Sequence, residues 1–171
     1  MVFKEFIVKK KNTVADIIMT VMLYVAACFI GLVMLVTLMP YNMIGIALLI
    51  LLGALYGAQI LSGMFKKEFE YIITNDIVDV DLIMNKSRRK RLISFTMADT
   101  EIIASVKDPI YSEYRNKQYD RRIYATTGRQ EAIVYFAVVE KQGKTIVFFE
   151  PPHEALEMLE QYSRSKVHIY E

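Results

Sequence analysis

Few side chains in this sequence have the types and spacing that catalysis needs. The only histidines are His153 and His168, and the only cysteine is Cys28. His153 lies beside a predicted helix start and His168 in the C-terminal tail, which indicates no nucleophile–base pair and no metal-ligand cluster. The sequence also has no G-x-x-x-x-G-K, H-E-x-x-H or G-x-S-x-G motif. We therefore predict that the protein is not an enzyme and takes no metal ion or cofactor.

Asp79 and Asp81 are two positions apart on a predicted strand, so their carboxylates share one face. A pair of this kind could hold a cation. The alternative is that both belong to the solvated face of the strand.

The densest charge is the segment KSRRKR. We predict a turn over residues 85–90, after the second strand of a β domain, and a third strand over residues 91–96; the basic residues form a loop at this turn. The first strand leaves the membrane and the second returns over a similar distance, so this loop should lie near the bilayer. Each basic residue near an anionic leaflet contributes about 1 kcal/mol. We predict contact with the anionic cytoplasmic leaflet, with a solvated turn as the alternative. The residues are Lys86, Arg88, Arg89, Lys90 and Arg91.

A polar, tyrosine-rich loop is predicted over residues 107–118. It and the residue after it contain Tyr111, Tyr114, Arg115 and Tyr119, a mixture that can bind a protein partner. The alternative is that the tyrosines fold back on the sheet. Residues 68–171 carry 15 basic and 17 acidic side chains, and this balance argues against nucleic-acid binding.

Two apolar segments come before the domain that carries these charged and aromatic side chains. Apolar residues make up 54% of the 171-residue chain and charged residues 23%, and the two classes are segregated. Residues 17–39 and 43–65 carry no charge, and each run forms a helix of roughly 35 Å, enough to cross a bilayer core. Pro40, Tyr41 and Asn42 join them, which predicts a tight antiparallel hairpin.

Lysines flank the hairpin on both sides, and its connecting loop has no charge. By the positive-inside rule, both termini are predicted to be cytoplasmic and the protein to be a multi-pass protein of the cell membrane. The flanking lysines are Lys4, Lys9, Lys10, Lys11, Lys66 and Lys67.

Small residues recur at close-packing spacing in both spans. Ala27 and Gly31 form one pair in the first span, and Gly53 and Gly57 form G-x-x-x-G in the second. We predict that both pairs pack within the hairpin. Formation of a homo-oligomer is the alternative.

The domains follow from these patterns. We predict a basic N-terminal segment over residues 1–12, a transmembrane hairpin over 13–67 and a cytoplasmic domain over 68–171. Alternating apolar residues in this domain predict seven antiparallel strands. Pro151 and Pro152 then begin an amphipathic C-terminal helix that closes the open end of the sheet. The predicted class is α+β, mainly β.

Seven strands and a capping helix resemble the pleckstrin-homology (PH) superfold. The two spans are followed by the segment EYIITNDIVDVDLIMNKSRRKRLISF and by a final EPPHEALEMLEQY. In these features the chain is similar to a family of small two-span membrane proteins of Gram-positive bacteria with PH-like domains. The resemblance covers nearly the whole chain and implies architecture but no chemistry. Phosphoinositide-binding PH domains often have a basic loop between strands one and two. Here the corresponding connection, at residues 74–76, is short and acidic.

The predicted function is a non-catalytic membrane protein that presents its PH-like domain as an interaction module for a protein or the lipid surface. The alternative is an accessory subunit whose hairpin packs against a larger transporter or enzyme. A homo-oligomeric channel is a third hypothesis, which the uncharged spans disfavour because ion routes need ionisable groups near mid-membrane.

Overall fold

The structure, a computed structural model, describes residues 3–85, 88–141 and 143–170. The chain divides into two compact units. One is Asn12–Lys67, and the other is formed by the described residues before and after it.

The first unit is a helical hairpin. Helix α1 spans Val14–Leu38, a short 3₁₀ helix follows at Met39–Tyr41, and α2 spans Ile44–Gly63. The helix α1 begins with a capping box in which Thr13 and Asp16 each bond to the backbone N–H of the other. These bounds agree with the two predicted spans.

The hairpin has a tight turn between two apolar helices whose side chains are mostly exposed. Asn42 adopts a left-handed conformation, with φ of 59°, and reverses the chain. Both helices are long and apolar enough to cross a membrane, and only 11% of each most apolar window is buried within the protein. Such exposure of apolar side chains is typical of helices that face lipid and atypical of the core of a soluble protein.

Four strands form the first sheet of the second unit. They are β1 (Phe3–Lys9), β2 (Lys67–Thr74), β3 (Ile77–Met84) and β4 (Arg88–Thr96), in the order β1-β2-β3-β4. Strand β1 pairs antiparallel with β2 over its whole length, from Phe3↔Thr74 to Lys9↔Glu68. This N-terminal segment was predicted to be a basic flank of the hairpin, and no strand was predicted there.

Five strands form the second sheet, in the order β6-β8-β7-β5-β9. The central β7 pairs antiparallel with β5 and β8. The described strands are β5 (Thr100–Ser105), β6 (Arg121–Ala125), β7 (Tyr135–Glu140), β8 (Lys144–Phe149) and β9 (Val167–His168).

The predicted set of seven antiparallel strands was therefore wrong in number and in direction. Nine strands are present in the described residues, because β1 and the two-residue β9 join the sheets. Strand β6 is parallel to β8, and β9 is parallel to β5. A helix precedes each of these two strands in the chain, α3 (Tyr111–Arg115) before β6 and α4 (His153–Tyr162) before β9. Such helical connections allow parallel pairing. The predicted loop over residues 107–118 contains α3.

Helix α4 packs on the main core of the β domain, as the sequence predicted. Its buried residues are Ala155, Leu156, Met158 and Leu159, and they join a cluster that includes side chains from both sheets. Tyr162, which the apolar pattern placed on the same face, is 45% exposed.

Tyr71 joins the two sheets through hydrogen bonds. Its hydroxyl donates to the backbone oxygen of Ala125 at 2.5 Å and accepts the backbone N–H of Glu150 at 3.1 Å. Burial raises the pKa of this phenol far above its usual value, so it stays neutral.

Candidate functional site: the charged face of the first sheet

Arg88, Arg89 and Lys90, which were predicted to lie in a turn, lie on β4 together with Arg91, which was predicted to begin this strand. Arg88 pairs with Met84 and Arg91 with Asp81, so β4 begins almost as soon as β3 ends. The fifth basic residue of the KSRRKR segment, Lys86, lies outside the described residues. The loop prediction was wrong here because cross-strand carboxylates stabilise arginines within a sheet, a long-range effect that local charge density does not reveal.

Six of the charged side chains on this sheet form what we call the charged face. They are Glu5 on β1, Glu70 on β2, Asp79 and Asp81 on β3, and Arg89 and Arg91 on β4.

Asp79 and Asp81 hold the guanidinium group of Arg91. Arg91 Nη1 lies 2.8 Å from Asp79 Oδ2, and Arg91 Nε lies 2.5 Å from Asp81 Oδ1. The register shifts between Val80 and Asp81, so Arg91 lies opposite Asp81. The hydrogen bond to Asp81 raises the pKa of Arg91, which keeps it charged. The cation that this pair of carboxylates binds in the structure is therefore an arginine.

Glu70 is the most unusual member of the charged face. Its side chain is 0% exposed, and neither carboxylate oxygen has a hydrogen-bond partner among the described residues. Arg89 Nη2 lies 3.2 Å from Glu70 Oε1 and 3.7 Å from Glu5 Oε1, so one arginine faces two carboxylates. Burial, with a smaller contribution from the neighbouring Glu5 carboxyl, raises the pKa of Glu70 to about 7, although the positive charge of Arg89 opposes the increase. The charged face can therefore bind a proton near neutral pH.

Arg88 and Lys90 are exposed on β4, and neither has an ion pair in the described part of the chain. Contact of this basic strand with lipid stays a prediction. Arg88 and Lys90 are the side chains of the strand whose charges could make that contact.

The predicted tyrosine surface packs mainly against the second sheet. The ring centroids of Tyr111 and Tyr114 lie 5.0 and 5.6 Å from that of Phe136, and the Tyr119 hydroxyl donates to the backbone oxygen of Tyr114. Arg115 is exposed at the end of α3. The alternative in which the tyrosines fold back on the sheet therefore describes their position, and binding of a partner here stays a prediction.

The two small-residue pairs of the hairpin have different environments. Ala27 and Gly31 are buried, and a Cβ atom added to Gly31 would lie 3.0 Å from Leu51 Cβ on α2. A Cβ atom added to Gly53 or Gly57 would have no atom within 4 Å among the described residues. Packing of the second pair within the hairpin was therefore a wrong prediction. The buried alanines of α2 are instead Ala47 and Ala58.

The remaining candidates for chemistry lie apart from any cluster. His153 is exposed at the start of α4 and contacts Glu157, His168 is exposed on β9, and Cys28 is exposed on α1. The described residues contain no group of three or more side chains suited to a metal ion.

A model of the protein family described as "Bacterial PH-like domain (DUF6106)" matches residues 1–169. The chain belongs to this family. The match to the PH-like family includes the helical hairpin and β1 as well as the residues after the hairpin, which agrees with the resemblance seen in the sequence. No curated protein and no solved structure matches the chain significantly.

The contribution of β1 to the charged face of this PH-like protein was not predicted from the sequence. Glu5 lies on β1, and the segment FKEFIVK had been assigned to a basic flank of the membrane span. The apolar residues Phe6 and Val8, two positions apart, were the available signal for a strand.

Proposed function

We propose that this protein is a non-catalytic, membrane-tethered interaction module. The helical hairpin crosses the bilayer, and the PH-like domain presents its surface to a protein partner or to the lipid on the cytoplasmic side. The pairing of β1 with β2 carries the proposal. These strands come directly before and after the hairpin and lie side by side in one sheet, with Lys9 opposite Glu68. The domain is thus tied to both ends of the hairpin, and both ends must lie on the same side of a membrane.

The lysines next to the hairpin support the cytoplasmic orientation. Lys9, Lys10 and Lys11 come before α1, Lys66 and Lys67 come after α2, and the turn between the helices has no charge.

The position of the basic strand supports a surface role for the first sheet. Strand β3 follows β2 through a two-residue turn, so Met84 returns to the end of the sheet where β2 began. Arg88 lies opposite Met84 and thus at this same end, with Lys9 and Lys67. Attraction to an anionic leaflet is greatest for basic residues within a Debye length of it.

Photocrosslinking in intact cells tests the proposal. A benzophenone amino acid is placed in the full chain at exposed Lys90 or Tyr124 of the domain, or at exposed Leu52 or Tyr56 of the hairpin. We expect covalent adducts with a defined protein, or with lipid, at the domain positions. The absence of any adduct from the domain positions would contradict an interaction role.

An accessory subunit is the second candidate function, and the environment of Gly53 and Gly57 favours it. Neither glycine contacts α1 through a Cβ position, so this close-packing motif faces away from the partner helix of the hairpin. In the same experiment, this function predicts protein adducts only from Leu52 or Tyr56.

A further inference from the structure

A groove in the β domain lies beside the end of β1. It has a volume of about 540 Å³, within the range of about 300–1,000 Å³ for small-molecule sites. The end of β1, the connection between β6 and β7, and the residues after β8 line it.

The walls of the groove combine exposed apolar groups with basic groups. Ile7 is 50% exposed and Ile133 40% exposed, although side chains of this kind are normally buried. Lys9 and Arg129 also line the groove. The acidic lining residue, Glu150, is buried and accepts the backbone N–H of Thr127 at 2.9 Å, so its carboxylate has a partner within the domain.

Covalent connectivity places this groove near the start of the first span. The backbone N–H of Lys11 donates to the oxygen of Thr127, a residue of the groove wall, at 2.8 Å. Helix α1 begins only three residues later, at Val14, and three extended residues cover at most about 10 Å. The polar head-group region of each leaflet is roughly 5–8 Å thick. Thr127 on the groove wall is thus hydrogen-bonded to a residue only three positions before α1, and this short connection limits how far the groove can lie from the head-group region.

We propose that this groove holds the head group and the upper acyl chain of an anionic phospholipid. The phosphate lies beside Lys9 and Arg129, and the acyl chain contacts Ile7 and Ile133. A phospholipid fits because it carries an anionic and an apolar part close together, and the leaflet beside α1 supplies it at high local concentration. The inference rests on the proposed membrane tether.

Photocrosslinking to lipid tests this site in the full chain. The benzophenone amino acid replaces Ile133, and the protein is reconstituted in nanodiscs of phosphatidylcholine mixed equally with phosphatidylglycerol. Intact mass spectrometry then counts the adducts. We expect phosphatidylglycerol adducts to exceed phosphatidylcholine adducts several-fold. The variant with Lys9→Ser and Arg129→Ser should lose this excess, a several-fold fall in phosphatidylglycerol adducts to about the phosphatidylcholine level, because two charges near the anionic surface are removed.

Matched controls separate the possible failures. Substitution of Arg115→Ser and Lys117→Ser removes the same charge from another part of the domain and should leave the adduct ratio unchanged. The same probe at Ile17 of α1 reports on the tether. Adducts from Ile17 but none from Ile133 would overturn the lipid site and leave the tether intact. No adduct from either position would overturn the tether as well.

Equal adduct yields for the two lipids at Ile133, unaffected by the double substitution, would overturn recognition of the anionic head group. Loss of the adducts when a soluble extract is added, with a protein adduct in their place, would identify the groove as a peptide site and also overturn the proposal.

Discussion

At the residue scale, Glu70 is the group with the clearest functional chemistry. A carboxylate that is fully buried without a hydrogen bond is unfavourable in its charged form, and the neighbouring Glu5 adds repulsion. Arg89 compensates only in part. The ion pair between Arg89 and Glu70 therefore changes its strength as Glu70 exchanges a proton near pH 7.

The stability of the domain should depend on this proton. The pKa of Glu70 is about 7 in the folded protein and 4.5 in an unfolded chain, so the folded state holds the proton more tightly. Glu70 favours folding at pH values below about 4.5, and this contribution is lost as the pH rises to about 7, by an amount on the order of a few kcal/mol. Glu70→Gln should remove this loss, so the variant gains stability relative to the natural protein between pH 5 and pH 8.

Thermal unfolding in detergent micelles, followed by circular dichroism at several pH values, measures this effect. Glu68→Gln on the same strand and face is the control, and its profile should parallel that of the natural protein. A Glu70→Gln profile that also runs parallel would show that Glu70 takes up no proton on folding.

At the scale of the helices, the two glycine positions make opposite predictions. A side chain at Gly31 meets Leu51 on α2, whereas one at Gly53 meets nothing within 4 Å among the described residues. Gly31→Val should separate the helices and destabilise the hairpin by about 2 kcal/mol, since overpacking in a tight interface costs roughly 1–3 kcal/mol. Gly53→Val should leave the isolated hairpin unchanged.

Energy transfer between dyes at positions 12 and 66 measures this packing. Asn12 and Lys66 line one cavity at the same end of the hairpin. Cys28→Ser provides the background for labelling, and the detergent SDS is titrated until the helices separate. Equal midpoints for the two glycine variants would contradict the packing described here. If Gly53→Val instead abolished a protein adduct seen in cells, the accessory function would gain support.

At the scale of the whole molecule, the domain is assembled from chain segments on both sides of the hairpin. Phe6 and Val8 of β1 pack against the main core, and Lys4 forms an ion pair with Glu154 of α4. The N-terminal segment is thus part of the domain and not only a membrane flank.

Two phenylalanines of β1 test this arrangement. Phe6 is half-buried against the core, whereas Phe3 on the same strand is 59% exposed. Phe6→Ala should lower the free energy of unfolding by about 2 kcal/mol. This is less than the same substitution costs at a fully buried phenylalanine, because part of the Phe6 ring is already in contact with water. Phe3→Ala should change it by no more than about 0.5 kcal/mol.

Chemical denaturation in micelles, followed by circular dichroism of the β domain, compares the two variants. If both left the free energy of unfolding unchanged, β1 would not belong to the domain core.

The sequence by itself determined the features that depend on local pattern. The two long apolar helices, the turn at Asn42, the hairpin of β2 and β3 and the helix α4 were all predicted, because hydropathy, turn residues and short-range periodicity act over a few neighbouring positions. The family resemblance was also evident at this level.

Only the tertiary structure decided what depends on distant partners. Whether FKEFIVK was a flank or a strand depended on β2, which lies across the whole hairpin in sequence. The ion pairs of Arg89 and Arg91 depended on carboxylates of three other strands. The two small-residue pairs of the hairpin differed in whether their helix face met the other helix. These outcomes follow from pairing between remote segments. A local alternation such as that of Phe6 and Val8 can indicate a strand, but it does not identify the partner of that strand.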